Sequence, residues 1–359
     1  MMPGQSLERE RVLARQRPDE SLARFKRIAL VLSGGGGLGA YQAGACAALE
    51  KCSVRPNWIA GTGIGAINAA IIAGNLPHER VWRLRHFWRE LSKRAGPRDA
   101  QYRTGGARSV LRRLLQRGAR STMMSFTDDA SPLSTAELRN LLCANANFER
   151  INSGAIRVVF GAMNLTTGAE TFFDNDRHVL AADHVLASTP LPGLQPMTIE
   201  RQLFGGSGLP VSALDDARPA DTLCVAIDGY DPVPAANCGI SRTAREIAAM
   251  RRTYDLRRRL AVLGERLPST LQGDIDIRRC LSEASNTTMT ILHVVHEGNP
   301  TGLAAKMADF SAATVAHRWR AGESDIERSL AHPRWLAPPP RLCGVVIHEM
   351  RGGVAAPPR

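Results

Sequence analysis

Aromatic residues make up only 5% of the 359-residue chain, and its seven cysteines contain no Cys-x-x-Cys pair. The missing pair excludes a zinc ribbon and a thioredoxin-type redox site. The odd cysteine count, scattered from Cys46 to Cys343, also argues against a disulfide framework and suits a reducing compartment. No apolar run reaches the length of a membrane span. The best candidate, Ala66 to Ala73, is short and carries Asn68. Met1 to Arg27 is studded with charges and lacks the apolar centre of a secretory signal. The expectation is a cytoplasmic protein, at most peripheral to a membrane.

What the chain does have is positive charge: a net +12 and a pI near 10.0. Such a surface favours anionic partners, whether nucleic acid, acidic lipid or an anionic ligand. The densest stretch, "RRTYDLRRRL", lacks the interleaved aromatics of a nucleic-acid stacking platform. A solvated helix face accounts for it, so nucleic acid is not the expected partner. An apolar fraction of 44% is enough to fill a substantial core.

"RIALVLSGGGG" from Arg27 is a short apolar run stopped by glycines, which predicts a buried strand, and "LGAYQAGACAALEK" follows at helical spacing. "PNWIAGTG" and "AINAAIIAGN" repeat the pattern. Strand, tight turn and helix, twice over, predict a parallel α/β sheet. Arg80 to Leu91 reads as a helix, and 95–131 as a flexible basic insertion. Ser134 and Glu137 form a capping-box signature at a helix start. Two strands meet at a Thr167–Gly168 turn. "DTLCVAIDGY" and "MTILHVVHE" are further strands. His293 and His296 fall on opposite faces of the second of these, so they read as two ordinary histidines rather than a metal site. No metal or cofactor is expected.

Two glycine loops carry the functional signal. The first spans Gly34, Gly35, Gly36, Gly37, Leu38 and Gly39. A dinucleotide fold could use Gly34, Gly36 and Gly39, but the next strand lacks the acidic residue that such a fold needs. A P-loop would need a lysine. An oxyanion hole needs only backbone N–H groups at a helix start. The second loop, "GTGIG", has the frame of the nucleophile elbow G-x-S-x-G, with Gly61 and Gly65 as the outer glycines and Gly63 in place of the serine.

In these loops the chain resembles the patatin-like phospholipase family. That family places G-G-G-x-x-G after its first strand, which matches "GGGGLG", and then an elbow that matches except at Gly63. Its third motif is Asp-Gly-Gly or Asp-Gly-Ala, with the aspartate as base of a Ser-Asp dyad. Gly205 and Gly206 in "RQLFGGSGL" match it, with Phe204 at the aspartate position. "FGAMNLTTGAETFFDN", "VLASTPLPG" and "ADFSAATVAHRWRAGESD" resemble bacterial members, so the resemblance spans roughly 28–330. It implies a patatin-like parallel sheet sandwiched by helices, with a helical basic C-terminal extension. With the charged arm (1–25) and the Pro- and Gly-rich irregular tail (336–359) read from composition, the chain divides further into an α/β domain (28–218) and the extension completing the fold (219–335).

The resemblance implies lipid acyl hydrolysis, yet both dyad positions are substituted. No nearby serine can shift into the elbow: Ser53 lies before the strand and the next is Ser92. Thr62 points away on so sharp a turn, and Asp215 and Asp216 could serve as base only in a rebuilt loop. Glycine relieves the strain of an elbow nucleophile, about 1–3 kcal/mol. Burying Phe204 is favourable by about 1.5–3 kcal/mol. The expected function is therefore a catalytically silent lipid- or acyl-binding or regulatory protein. An active hydrolase with a non-standard nucleophile is the alternative, and a basic nucleic-acid-binding protein the third.

Overall fold

The computed structural model describes residues 22–101, 133–189, 195–207, 211, 214, 220–229, 242–296, 303–351 and 354–355. Strand β1 (Arg27–Leu32) passes through a tight turn at Gly36–Leu38 into helix α1 (Gly39–Lys51). Strand β2 (Trp58–Gly61) passes through Thr62 and Gly63 into α2 (Ile64–Ala73). There follow α3 (Pro77–Gln101), α4 (Thr135–Cys143), α5 (Phe148–Asn152), β3 (Arg157–Asn164), β4 (Glu170–Asp174) and α6 (Ala182–Ala187). The chain continues with β5 (Met197–Ile199), β6 (Gln202–Ser207), β7 (Thr222–Asp228), α7 (Arg242–Gly264) and β8 (Met289–Val295). It closes with α8 (Leu303–Ala308), α9 (Ala312–Ala331), β9 (Val345–Arg351) and β10 (Val354–Ala355).

Among the described residues ten strands form one sheet in the order β10-β9-β8-β7-β1-β2-β3-β6-β5, with β4 also paired to β3. The six from β9 to β3 are parallel. Both faces of the sheet are covered, which is why the central strands read as continuous apolar runs rather than alternating ones. Leu30 and Leu32 of β1 join the core shared with α1, α2 and α3. Ala29 and Val31 join the opposite core, where α7 supplies Ile247, Met250 and Tyr254. The fold is thus a largely parallel sheet between helices, with a helical C-terminal region.

Helix α9 packs on α1 backbone to backbone. A side chain at Gly44 would begin 2.0 Å from the Trp319 carbonyl oxygen, and one at Gly322 would begin 2.0 Å from that of Tyr41. The Tyr41 hydroxyl then donates to buried Asp325 at 2.8 Å across the same contact. The predicted helix start at Ser134 forms a complete capping box with Glu137. Among the described residues no helix is long and apolar enough to cross a membrane.

Several boundaries differ from the sequence expectations. The expected irregular tail contains β9, which pairs in parallel with β8; its "VVIHEMR" was masked by flanking prolines and glycines. The C-terminal segment is more than a helical extension, because β7 pairs with β1, and β8 with β7, inside the sheet. Of the charged arm, Leu22 and Phe25 are buried in the core, and Arg24 donates to the carbonyls of Trp335 and Leu336. Residues 1–21 lie outside the described residues. Helix α3 runs on to Gln101, through the start of the expected basic insertion, and the remainder of that insertion lies outside the described residues.

Candidate functional site

Parallel strands raise their loops at one end, and the sequence order of these strands reverses between β1 and β7. From β1 the chain builds outward through β2 and β3, then returns to the other side of β1 with β7, β8 and β9. In open α/β sheets such a switch point leaves a crevice beyond the carboxyl ends of the strands, where ligands bind. The Gly34–Gly39 loop leaves β1 there, and the Gly63 turn leaves the neighbouring strand.

The two loops touch. The Thr62 N–H donates to the Leu32 carbonyl at 3.0 Å. A side chain at Gly65 would collide with the Leu32 carbonyl oxygen at 2.2 Å, and one at Gly39 with the Ile64 side chain at 2.7 Å. Gly63 itself caps α2 at φ 60° and ψ −137°, a left-handed conformation that is costly for any residue bearing a side chain. Its N–H donates to the Ser188 carbonyl at 2.7 Å, and its own carbonyl accepts from the Thr189 hydroxyl at 3.0 Å. Thr62 does point elsewhere, donating to the Gly161 carbonyl at 3.2 Å.

Gly34 and Gly35 are half-buried, whereas Gly36, Gly37, Leu38 and Gly39 are buried. The cover is the C-terminal end of α8 and the residue after it. A side chain at Gly36 would meet the Met307 carbonyl oxygen at 2.4 Å, and one at Gly37 that of Asp309 at 2.4 Å. Arg318 of α9 fastens this cover, donating to the carbonyls of Asp309 at 2.9 Å and Lys306 at 2.8 Å. Close backbone approach is thus a sufficient reason for glycine at both positions.

Phe204 on β6 is buried, with its ring edge-on to Phe173 at 5.2 Å between centroids. It stands opposite Asn164 of β3, four residues beyond the Phe160 that pairs with Gly61 at the end of β2. That register puts it past the end of β2, on the end of the sheet where Gly63 turns. Gly205 and Gly206 follow it in the same strand. Asp215 and Asp216 lie outside the described residues.

The structure adds a cluster that the sequence reading missed. Asp228 closes β7 and is buried. It accepts from the Ser33 hydroxyl, at the mouth of the glycine loop, and from the Thr243 hydroxyl of α7 at 3.0 Å. His293 of β8 meets its second oxygen through Nε2 at 2.7 Å. Burial alone would raise the Asp228 pKa, but hydrogen bonds from His293, Ser33 and Thr243 hold it below the ordinary carboxylate range. His293 is therefore not an ordinary strand histidine. The available signal was one ionisable residue in each of two otherwise uncharged strands, Asp228 in TLCVAID and His293 in MTILHVV, since buried polar groups must find partners.

His296 behaves differently. It stacks on Tyr41 at 4.5 Å, and burial pushes its pKa down to about 4. A histidine kept neutral in the fold contributes stability above its unfolded pKa of about 6.5 and loses it as pH falls toward the folded value. The melting temperature is thus expected to drop between about pH 6.5 and pH 4. The drop should shrink in His296→Phe, which keeps a ring against Tyr41. An unchanged pH profile in that variant would assign the loss to other groups.

Comparison with known proteins follows from this geometry. A family model described as patatin-like phospholipase matches residues 30–234, more than half of the chain. A second, described as patatin phospholipase, matches residues 240–342. Among solved structures, the crystal structure of VipD from Legionella pneumophila is similar at 13% identity and a TM-score of 0.29, over 82% of this chain and 67% of that one. No curated protein matches. With the first model covering both glycine loops and the strands that present them, the chain belongs to the patatin-like phospholipase family.

Proposed function

We propose that this family member binds a lipid or acyl ligand without hydrolysing it, in a regulatory role, with anionic membrane surfaces as a peripheral partner. The observation that carries the proposal is Gly63. The elbow backbone is there, at φ 60° on the cap of α2, but it holds no nucleophile. Phe204 supports it, since a buried ring packed on Phe173 supplies no base. A serine hydrolase needs both, as the hydroxyl is a poor nucleophile until a neighbouring group takes its proton. The net charge of +12 supports the anionic partner.

Ser33 favours a second reading. Its hydroxyl already donates to a buried carboxylate beside the glycine loop, which is the pairing of a Ser-Asp dyad in a different place. Against it, Asp228 is held as an anion by three donors, which makes it a weak base. One experiment separates the two. Purified protein is treated with a fluorophosphonate probe, weighed intact and assayed on p-nitrophenyl esters. No adduct and background hydrolysis are expected. A stoichiometric adduct that maps to Ser33 and disappears in Ser33→Ala would establish the second reading and sink the first.

A further inference from the structure

Away from the glycine loops, α3 and α9 run side by side and leave an open trough of about 680 Å³ between them, within the usual range for a small-ligand site. Trp88, Val315 and Trp319 form its floor. Ala312 and Ala316 leave one wall low. The other wall carries Arg85, Arg89 and Lys93, spaced four apart on one face of α3. From Ala312 to Glu323 the trough runs for about 16 Å, at the helical rise of roughly 1.5 Å per residue.

The trough has a direction. Arg85 reaches Glu323 at 3.4 Å at one end, where Arg320 also lines the trough. At the other end Lys93 and Ser311, the cap of α9, line the trough, and among the described residues no carboxylate lines that end. The start of α9 is already held by Asp309, which accepts from the Ser311 N–H at 2.9 Å and the Thr314 hydroxyl at 2.8 Å, so the cationic character of this end comes from Lys93 and Arg89. Ser92 lines the same end, and its buried hydroxyl has no hydrogen-bond partner among the described residues. Lys93 and Arg89 do meet Glu90, at 2.8 Å and 3.6 Å, but these are exposed pairs that exchange at little cost.

We propose that this trough binds one single-chain amphiphile with an anionic head, the chain lying on Trp88, Val315 and Trp319 and the head at Lys93, Arg89 and Ser92. An apolar floor of this length excludes a plain phosphate as the intended ligand, and a lining of four cations, Arg85, Arg89, Lys93 and Arg320, with Glu323 as its carboxylate favours an anionic head over a neutral one. The floor is also the back of the candidate site. Trp88 donates to Asn68 of α2 at 3.0 Å, and Asn68 in turn donates to the Gly39 carbonyl at 3.0 Å. The proposal rests on the lipid-binding reading above and gives it a place and a ligand class.

Calorimetric titration of the full chain with dodecanoate, dodecyl phosphate and dodecanol, each below its micellar range, tests it. Both anions are expected to bind one per chain, with dodecanol weaker by about tenfold or more. Ala316→Trp changes an exposed position and fills the trough, so it should weaken every ligand by about tenfold or more. Arg89→Ala with Lys93→Ala should bring dodecanoate down to the level of dodecanol. One-to-one anion binding that survives Ala316→Trp would overturn the trough and leave the lipid-binding reading standing. Dodecanol binding as tightly as dodecanoate would overturn the assigned head group. No binding of any amphiphile would overturn both.

Discussion

Asp228→Ala is expected to cost about 3–5 kcal/mol, because it strips the partner from a buried charged network and leaves three donors facing a cavity. The carboxylate ties four elements at one point: Ser33 after β1, its own strand β7, His293 of β8 and Thr243 of α7. Denaturant melts at pH 7 would read the loss. Asp228→Asn separates charge from hydrogen bonding, since the amide oxygen still accepts from Ser33 and Thr243 while the negative charge facing His293 is gone. It should fall between the parent and Asp228→Ala. The sign with pH also follows. A carboxyl held below its unfolded pKa of about 3.9 contributes stability above that value and loses it as pH falls through the folded one. The acid limb of the stability curve should therefore flatten in both variants. A loss under about 1 kcal/mol for Asp228→Ala would mean that the cluster is ordinary loop chemistry rather than the clamp of the switch point.

The parts of this fold legible in the sequence are those where local chemistry and tertiary context agree. Glycine after an apolar run marked both strand-to-helix turns, and Ser134 with Glu137 marked a helix start that needs no tertiary help. The errors have the opposite origin. "VVIHEMR" is a strand because β8 offers it an edge, which prolines and glycines nearby in sequence hid. Helix α3 continues through Gly96 and Pro97, although both disfavour it. Asp228, His293 and Ser33 lie 65 and 195 residues apart along the chain, so only the reversal of strand order brings them together. A periodicity argument handles one strand at a time and cannot see a site assembled from three. The glycines were legible as a pattern but not in their causes: Gly63 is explained by its own φ, Gly36 and Gly37 by the carbonyls of Met307 and Asp309 pressed against them.

Restoring both missing groups should have the largest effect on activity. Gly63→Ser alone is expected to stay near background on p-nitrophenyl esters. It returns a hydroxyl to the elbow but leaves nothing to take its proton, and a positioned base is worth about 10²–10⁴ in rate. Phe204→Asp supplies a carboxylate at the end of the sheet where Gly63 turns. Its surroundings, edge-on to Phe173 and buried, would raise the pKa of a new carboxyl toward the range where it works as a base. The double variant should therefore exceed the product of the single effects, because nucleophile and base act as a unit. It should also melt lower. A side chain at φ 60° restores about 1–3 kcal/mol of strain, and removing a buried phenyl ring costs about 3–5 kcal/mol. Melting curves and ester assays on the parent, the two singles and the double give all four corners. If Gly63→Ser alone matches the double, Phe204 is not the vacated base position, and Asp215 or Asp216 becomes the candidate. If the double folds but stays silent, the Ser188 carbonyl that accepts the Gly63 N–H and the cover over Gly36 and Gly37 have closed the old reaction space, and the ligand must be sought in the trough between α3 and α9 instead.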